Sequence, residues 1–208
     1  MVTGSRTRSQ AARAERARAT RERIVEAAAP LFVERGYLET TMADLARGAG
    51  VAVQTLYLSF GSKAAVLEAA RSRSDHPDGW SFPTAASAAE DGTVALGLHV
   101  GHTTAAVERR HPLDAVLRGA AADPEPASLL AATRRDALET HARAVDELAE
   151  KPGFTDLISV QRATDVVATL LSPETYGLLV VDQGWTTPDW SEWALRHLVA
   201  DLFPGARG

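Results

Sequence analysis

The chain has 208 residues, 45% of them apolar and none of them cysteine. That is enough apolar material for a sizeable core, which excludes wholesale disorder. The missing cysteine excludes disulfides, Cys-ligated zinc, iron–sulfur clusters and thiol nucleophiles. No apolar run approaches the roughly 18–20 residues that a bilayer span needs, and the Arg- and Ala-rich start lacks the apolar segment of a secretory signal. A soluble, cytoplasmic protein without a membrane partner is expected. The net charge of −5 conceals a split: residues 1–74 carry 12 Lys+Arg against 7 Asp+Glu, a balance of +5, and residues 75–208 carry 10 against 20, a balance of −10. Only the N-terminal part is suited to a polyanion.

Residues 1–19 hold five arginines, one glutamate and no large apolar residue beyond Met1 and Val2. They read as a basic flexible arm, or as a frayed helical extension near Ala11–Ala19. Two roles stay open for it, a solubilising tail and an arm that tracks phosphates. From Thr20 to Arg35, the residues Ile24, Ala28, Leu31 and Phe32 recur on one helical face. Thr20 is the expected cap, Gly36 the expected left-handed stop, and Pro30 the place where a kink is allowed. Thr41-Met42-Ala43-Asp44 has the spacing of a capping box, so a second helix of about two turns starts there and stops at Gly48-Ala49-Gly50. A third runs from about Ala52 to Ser59, and a fourth follows Ser62.

Two short helices joined by a glycine-containing turn and braced by a preceding helix make a helix-turn-helix unit, whose second helix is sized to enter the major groove. Its outward residues are Val53, Gln54, Thr55, Leu58 and Ser59, with Tyr57 in reach of a phosphate.

The run Thr20-Arg21-Glu22-Arg23-Ile24-Val25-Glu26-Ala27-Ala28, Leu31-Phe32, Glu34-Arg35-Gly36-Tyr37, Thr40-Thr41-Met42-Ala43-Asp44-Leu45-Ala46, Ala49-Gly50-Val51, Thr55-Leu56-Tyr57 and Phe60-Gly61-Ser62-Lys63 resembles the N-terminal domain of TetR-type transcriptional regulators. The resemblance covers about residues 20–68. The stretch from Asp165 to Trp190 also resembles the end of many members, less specifically. The resemblance implies an all-α chain: the arm at 1–19, a helix-turn-helix DNA-binding domain at 20–68, and a helical effector-binding and dimerisation domain at 69–208. It also implies that Thr40 and Thr41 touch phosphates, that Gln54 and Thr55 face bases, and that Tyr57 and Lys63 reach phosphates. Val53 and Ser59 complete this candidate DNA-binding set. Three positions depart from the family's habit: Ala52 stands where a Ser or Thr cap is common, Gln54 where a small residue is common, and Ser59 where a His is frequent. Gln54 is of a kind that pairs bidentately with adenine.

Beyond residue 75, Pro and Gly punctuate Ala/Leu/Val segments of helical length near 84–110, 113–121 and 125–150. Leu178-Leu179-Val180-Val181 is compatible with a short buried strand, but without a partner strand it reads as helix. Effector pockets between helices are apolar with a few polar groups, and the residues singled out for one are Trp80, Phe82, Leu98, His99, His102, Leu117, Leu138 and His141. His99 and His102 share a helical face, but without Cys or an H-E-x-x-H pattern no metal site is assigned, nor a cofactor, nor a catalytic residue. Apolar faces on Ala163, Val166, Val167, Leu170 and Leu171, and on Trp193, Leu195, Leu198, Val199 and Leu202, are suited to pairing two copies through a four-helix bundle. The expectation is a homodimeric repressor of double-stranded operator DNA, released by a small, largely apolar effector. An all-helical enzyme and a non-DNA interaction protein that keeps the fold are the rivals.

Overall fold

The computed structural model describes residues 3–73 and 82–206, and every regular element among them is helical. In chain order these are α1 (Thr3–Glu39), α2 (Met42–Ala49), α3 (Val53–Phe60), α4 (Lys63–Arg73), α5 (Thr84–Ala88), α6 (Gly92–Gly119), α7 (Pro124–Ala149), α8 (Val160–Leu170), α9 (Pro173–Tyr176) and α10 (Thr187–Leu202). No described helix is long and apolar enough to cross a membrane.

Thr20 does not start the first helix. The Ala- and Arg-rich stretch before it is made of strong helix formers, and α1 begins at Thr3. Residues 10–19 of that extension are exposed throughout. Pro30 does not end the helix either. It sits on the exposed side, where water can take the carbonyl freed by its missing N–H. The break falls at Gly36, whose φ of 77° is open to glycine and costly for other residues. Pro112 likewise lies inside α6, so the segments read separately as 84–110 and 113–121 are mostly one helix.

The chain divides into two compact units. The first joins the described residues up to Arg73 with Pro112–Leu130. Its core is built on Ile24, Ala28 and Phe32 of α1, Leu45 of α2, Leu56 of α3, and Val66 and Leu67 of α4, closed by Leu113, Leu117 and Ala120. Leu117, expected in an effector pocket, is thus a fully buried core residue of this unit. Arg71 of α4 is fully buried too. Its Nε donates to Asp114 Oδ1 at 2.7 Å, Nη2 lies 2.7 Å from the same oxygen, and Nη1 reaches Glu68.

The second unit holds residues up to His111 and from Ala131 on. Leu96, Val100, Val145 and Leu148 pack there with Ala163, Val167 and Leu171 of α8 and its C-terminal end and with Ala194, Leu198 and Leu202 of α10. Of the residues expected to meet a second copy, Ala163, Val167, Leu171, Leu198 and Leu202 are fully buried in the core of this unit, whereas Val166, Leu170, Trp193, Leu195 and Val199 are half-buried and keep part of their surface exposed. At the start of α6, a Cβ on Gly92 would lie 2.2 Å from the Phe203 ring, so only glycine lets that ring approach. The apolar run Leu178–Val181 falls in a π-helical turn, Gly177–Asp182, with Leu178 and Val181 exposed.

Candidate nucleic-acid interface and effector cavity

α2 is fixed at both ends. The Thr41 hydroxyl accepts from the Asp44 N–H at 3.1 Å, and the Asp44 carboxylate accepts from the Thr41 N–H at 3.2 Å, a complete capping box. The Thr41 hydroxyl also donates to the Asp44 carboxylate at 2.5 Å, and this bond first, then the Thr41 N–H and Arg47, hold the Asp44 carboxyl below the usual carboxylate range. At the other end Gly50 takes φ 64°, ψ 38°, and the Val51 N–H reaches back to the Ala46 carbonyl at 3.0 Å. The turn thus aims α3, which Leu56 pins to the core.

Val53, Gln54, Tyr57 and Leu58 of α3 are exposed and fall within one arc of about 140° of helix surface at 100° per residue. Tyr57 is 51% exposed and Leu58 82%. Thr55 and Ser59 are half-buried, and the Ser59 hydroxyl donates to the Thr55 carbonyl at 2.8 Å. The helix starts at Ala52 without a side-chain cap. Its far end is held by Arg21 of α1, whose guanidinium lies 3.9 Å from the Phe60 ring centroid and donates to the Ser59 carbonyl. Sequence reasoning passed over Arg21. Its only signal was a charge one helical turn before the buried Ile24.

Two of the expected phosphate contacts are placed otherwise. Thr40 is fully buried and its hydroxyl donates to the Gly36 carbonyl at 2.7 Å, so that side chain closes the α1–α2 turn and cannot reach a phosphate. Lys63 turns inward: Nζ donates to the Tyr37 carbonyl at 2.6 Å and lies 4.1 Å from the Tyr37 ring centroid. Burial lowers its pKa. Tyr37 in turn donates to Glu125 Oε2 at 3.1 Å, and burial raises its phenol above the ordinary range. Thr41 is exposed at the N-terminus of α2, but its hydroxyl proton is donated to Asp44 Oδ2 at 2.5 Å.

In the second unit, three of the residues singled out for an effector come together. His99 Nε2 and His141 Nδ1 lie 3.2 Å apart, both rings are buried, and the Phe82 ring lies tilted against His99 with centroids 5.4 Å apart. Burial is the first cause that lowers both pKa values, His99 to about 3 and His141 to about 4, so both imidazoles are neutral. His99 Nδ1 has no hydrogen-bond partner. His141 and Leu138 line a cavity of about 420 Å³ whose walls include Ala137, Ala168, Leu171 and Pro173. At its mouth Arg134 Nη2 meets Glu174 Oε1 at 2.7 Å. His102 is half-buried on α6 and Leu98 is 40% exposed. Neither lines this cavity. Trp80 lies outside the described residues. Among the described residues, no group of three His, Asp or Glu side chains could hold a metal.

Residues 24–70 match the family described as bacterial regulatory proteins, tetR family. The chain is 39% identical over 64 residues to the uncharacterized HTH-type transcriptional regulator TtgW of Pseudomonas putida, a match covering 31% of this chain and 48% of TtgW. The chain therefore spans less than half the length of that relative. Two solved structures share the fold over most of the chain. NalD of Pseudomonas aeruginosa, the secondary repressor of the MexAB-OprM multidrug efflux pump, superposes with a TM-score of 0.69 at 18% identity, covering 91% of this chain and 98% of NalD. SmeT in complex with triclosan gives a TM-score of 0.72 at 21% identity, covering 89% and 92%. The helix-turn-helix segment at residues 24–70 thus matches the N-terminal domain of the tetR family of bacterial regulatory proteins.

Proposed function

We propose that the chain is a sequence-specific DNA-binding repressor of transcription, not an enzyme, which acts in the cytoplasm as a homodimer on a palindromic operator and is released by a small-molecule effector. The observation that carries this reading is α3: Val53, Gln54, Tyr57 and Leu58 form an exposed face at the end of a helix pair whose geometry is fixed by a capping box and a left-handed glycine. A solvent-facing helix with Gln and Tyr on it is equipped to read a groove, Gln54 through an adenine edge and Tyr57 through a phosphate. The N-terminal N–H groups of α2 beside Thr41 offer a further phosphate partner, Val53 and Thr55 flank Gln54, and Ser59 and Lys63 are turned to the Thr55 carbonyl and to Tyr37. By function we place DNA binding within residues 20–68 and effector binding with dimerisation in 69–208. That NalD represses an efflux pump and that SmeT binds triclosan favour regulation by a small apolar molecule. Effector binding in the second unit would shift the population toward a dimer whose reading helices no longer match the half-site spacing.

The test is fluorescence anisotropy of the full chain on the duplex upstream of its own gene, over a salt series. A specific complex with a steep salt slope is expected. Tyr57→Ala should weaken it with the fold intact, because Tyr57 is exposed. Gln54→Ala should relax preference at one adenine per half-site, by about 1–3 kcal/mol of discrimination in a randomised library. Unchanged binding in both variants would refute the role given to α3.

A further inference from the structure

The His99–His141 contact has a proton to place. Both rings are neutral, so each carries one N–H, and only one of the two nitrogens facing each other across 3.2 Å can hold it. If it sits on His141 Nδ1, then His99 must keep its own proton on Nδ1, the buried nitrogen without an acceptor. An orphaned buried N–H forfeits a full hydrogen bond and is rarer than an orphaned lone pair. The cheaper arrangement puts the proton on His99 Nε2. His141 Nδ1 then accepts, and the proton of His141 is on Nε2, at the other edge of the ring. Nδ1 is spent on His99, which leaves that edge for the cavity His141 lines.

The cavity around it is selective in composition. Ala137, Leu138, Ala168, Leu171 and Pro173 supply apolar walls, and the hydroxyls of Thr169 and Ser172, which also line it, donate to the Asp165 carbonyl and the Thr175 hydroxyl. The Arg134 guanidinium at the mouth is paired with Glu174, so its charge is offset and does not draw in an anion. A volume of about 420 Å³ suits a molecule of small-drug size.

We propose that this cavity between α7 and the end of α8 is a binding site for an uncharged, apolar-bodied molecule with one hydrogen-bond acceptor, a ketone, ester or lactone oxygen, read by the Nε2–H of His141, whose tautomer is set by His99. As an effector site it rests on the function proposed above. As a binding site it stands on the histidine pair and the cavity alone.

Three probes with one ring system test it. These are 2-acetylnaphthalene, which has an acceptor, 2-ethylnaphthalene, which has none, and 2-naphthoate, which is an anion. They are titrated into the full chain by calorimetry, and the imidazoles are followed in ¹⁵N-histidine-labelled protein. The acetyl compound should bind about two- to tenfold more tightly than the ethyl compound, the range of one net hydrogen bond, and should move the His141 Nε2–H resonance. His141→Phe should bring the two to equal affinity. Leu138→Trp, at a partly exposed wall position, should abolish both with the histidine pair intact, and serves as the second variant if His141→Phe does not fold. Equal affinity for ketone and hydrocarbon in the wild type, tightest binding of naphthoate, or a bound ketone that leaves His141 unmoved would overturn the proposal. So would burial of the cavity by a second copy, seen as probe binding that weakens as dimer forms in sedimentation. Operator anisotropy run beside the titration separates the two readings. Ketone binding at His141 without release of DNA refutes the effector role and leaves the site. Release of DNA without a response at His141 refutes the site and leaves the regulator.

Discussion

Arg71 and His99 are both fully buried polar side chains, one in each unit, and they are satisfied in opposite ways. Arg71 is always charged and spans from α4 to Asp114 on α6, with Glu68 on its own helix as a further partner. A buried charge must be answered this fully, because its desolvation is not recovered otherwise. His99 escapes the same cost by losing its charge, and its pair with His141 leaves one nitrogen unanswered. The first arrangement has one stable state, so it clamps the base of the reading domain. The second holds two neutral groups whose proton position and hydrogen bonds a third molecule can change.

The largest effect should come from breaking the clamp. Asp114→Ala removes the carboxylate that answers the Arg71 Nε, while Glu68, 40% exposed, still pairs with the guanidinium. Breaking a buried pair from one side costs about 3–5 kcal/mol, and the surviving partner puts the expected loss near about 3 kcal/mol. Urea unfolding of the two units, followed by separate probes, would locate that loss in the N-terminal unit. The double variant Arg71→Met/Asp114→Leu should recover most of it, since two apolar groups need no partner. A double variant as weak as the single would mean that the pair acts through packing and not through charge.

Acid should sharpen the contrast from the other side. The folded imidazoles have pKa values near 3 and 4, against an ordinary 6.5. Below pH 6.5 the unfolded chain takes up protons that the folded chain refuses. Stability therefore falls as pH drops through about 6.5 toward about 4 for His141 and about 3 for His99, and it levels off above about 7.5. Between pH 6.5 and 5.5 the loss is about 1 kcal/mol per imidazole. Asp44, Asp91 and Asp189, held below their usual value, act only further down. Thermal midpoints at pH 7.5, 6.5 and 5.5 should show the larger drop in the last interval, and a His99→Gln/His141→Gln double variant should lose that slope. A slope that survives in the double variant would assign the proton uptake elsewhere.

What could be read from the amino acids follows the same division. The capping box at Thr41–Asp44, the stop at Gly50 and the bare start at Ala52 were legible because each is local, a matter of three or four residues and their own backbone. The direction of Thr40 and Lys63 was not, because both are decided by what α1 presents to them, the Gly36 carbonyl and the Tyr37 ring. Leu117 was misassigned for a similar reason: α6 runs on through Pro112 into the other unit, and periodicity does not say which core a helix end joins. His99 and His141, 42 residues apart, were both singled out as pocket residues, but their meeting could be found only in the fold.

The smallest expected effect concerns the reading helix itself. Its neighbour α2 has two N–H groups at its start satisfied by the side chains of Thr41 and Asp44. α3 begins at Ala52 with the extended backbone of a cap, φ −69° and ψ 144°, but no side chain to accept the free N–H groups. The geometry for a cap is in place and only the oxygen is missing. Ala52→Ser supplies it without moving the backbone, and should stabilise the start of α3 by about 1 kcal/mol. If α3 frays in free solution and orders on DNA, that gain is spent on binding, and operator affinity should rise by up to about fivefold, the same energy in a binding constant. If α3 is already ordered by Leu56, by Arg21 on Phe60 and by the Gly50 turn, thermal stability rises and affinity does not. Hydrogen exchange of the Gln54 and Thr55 amides, measured with and without the duplex, distinguishes the two, because only a fraying start gains protection on binding.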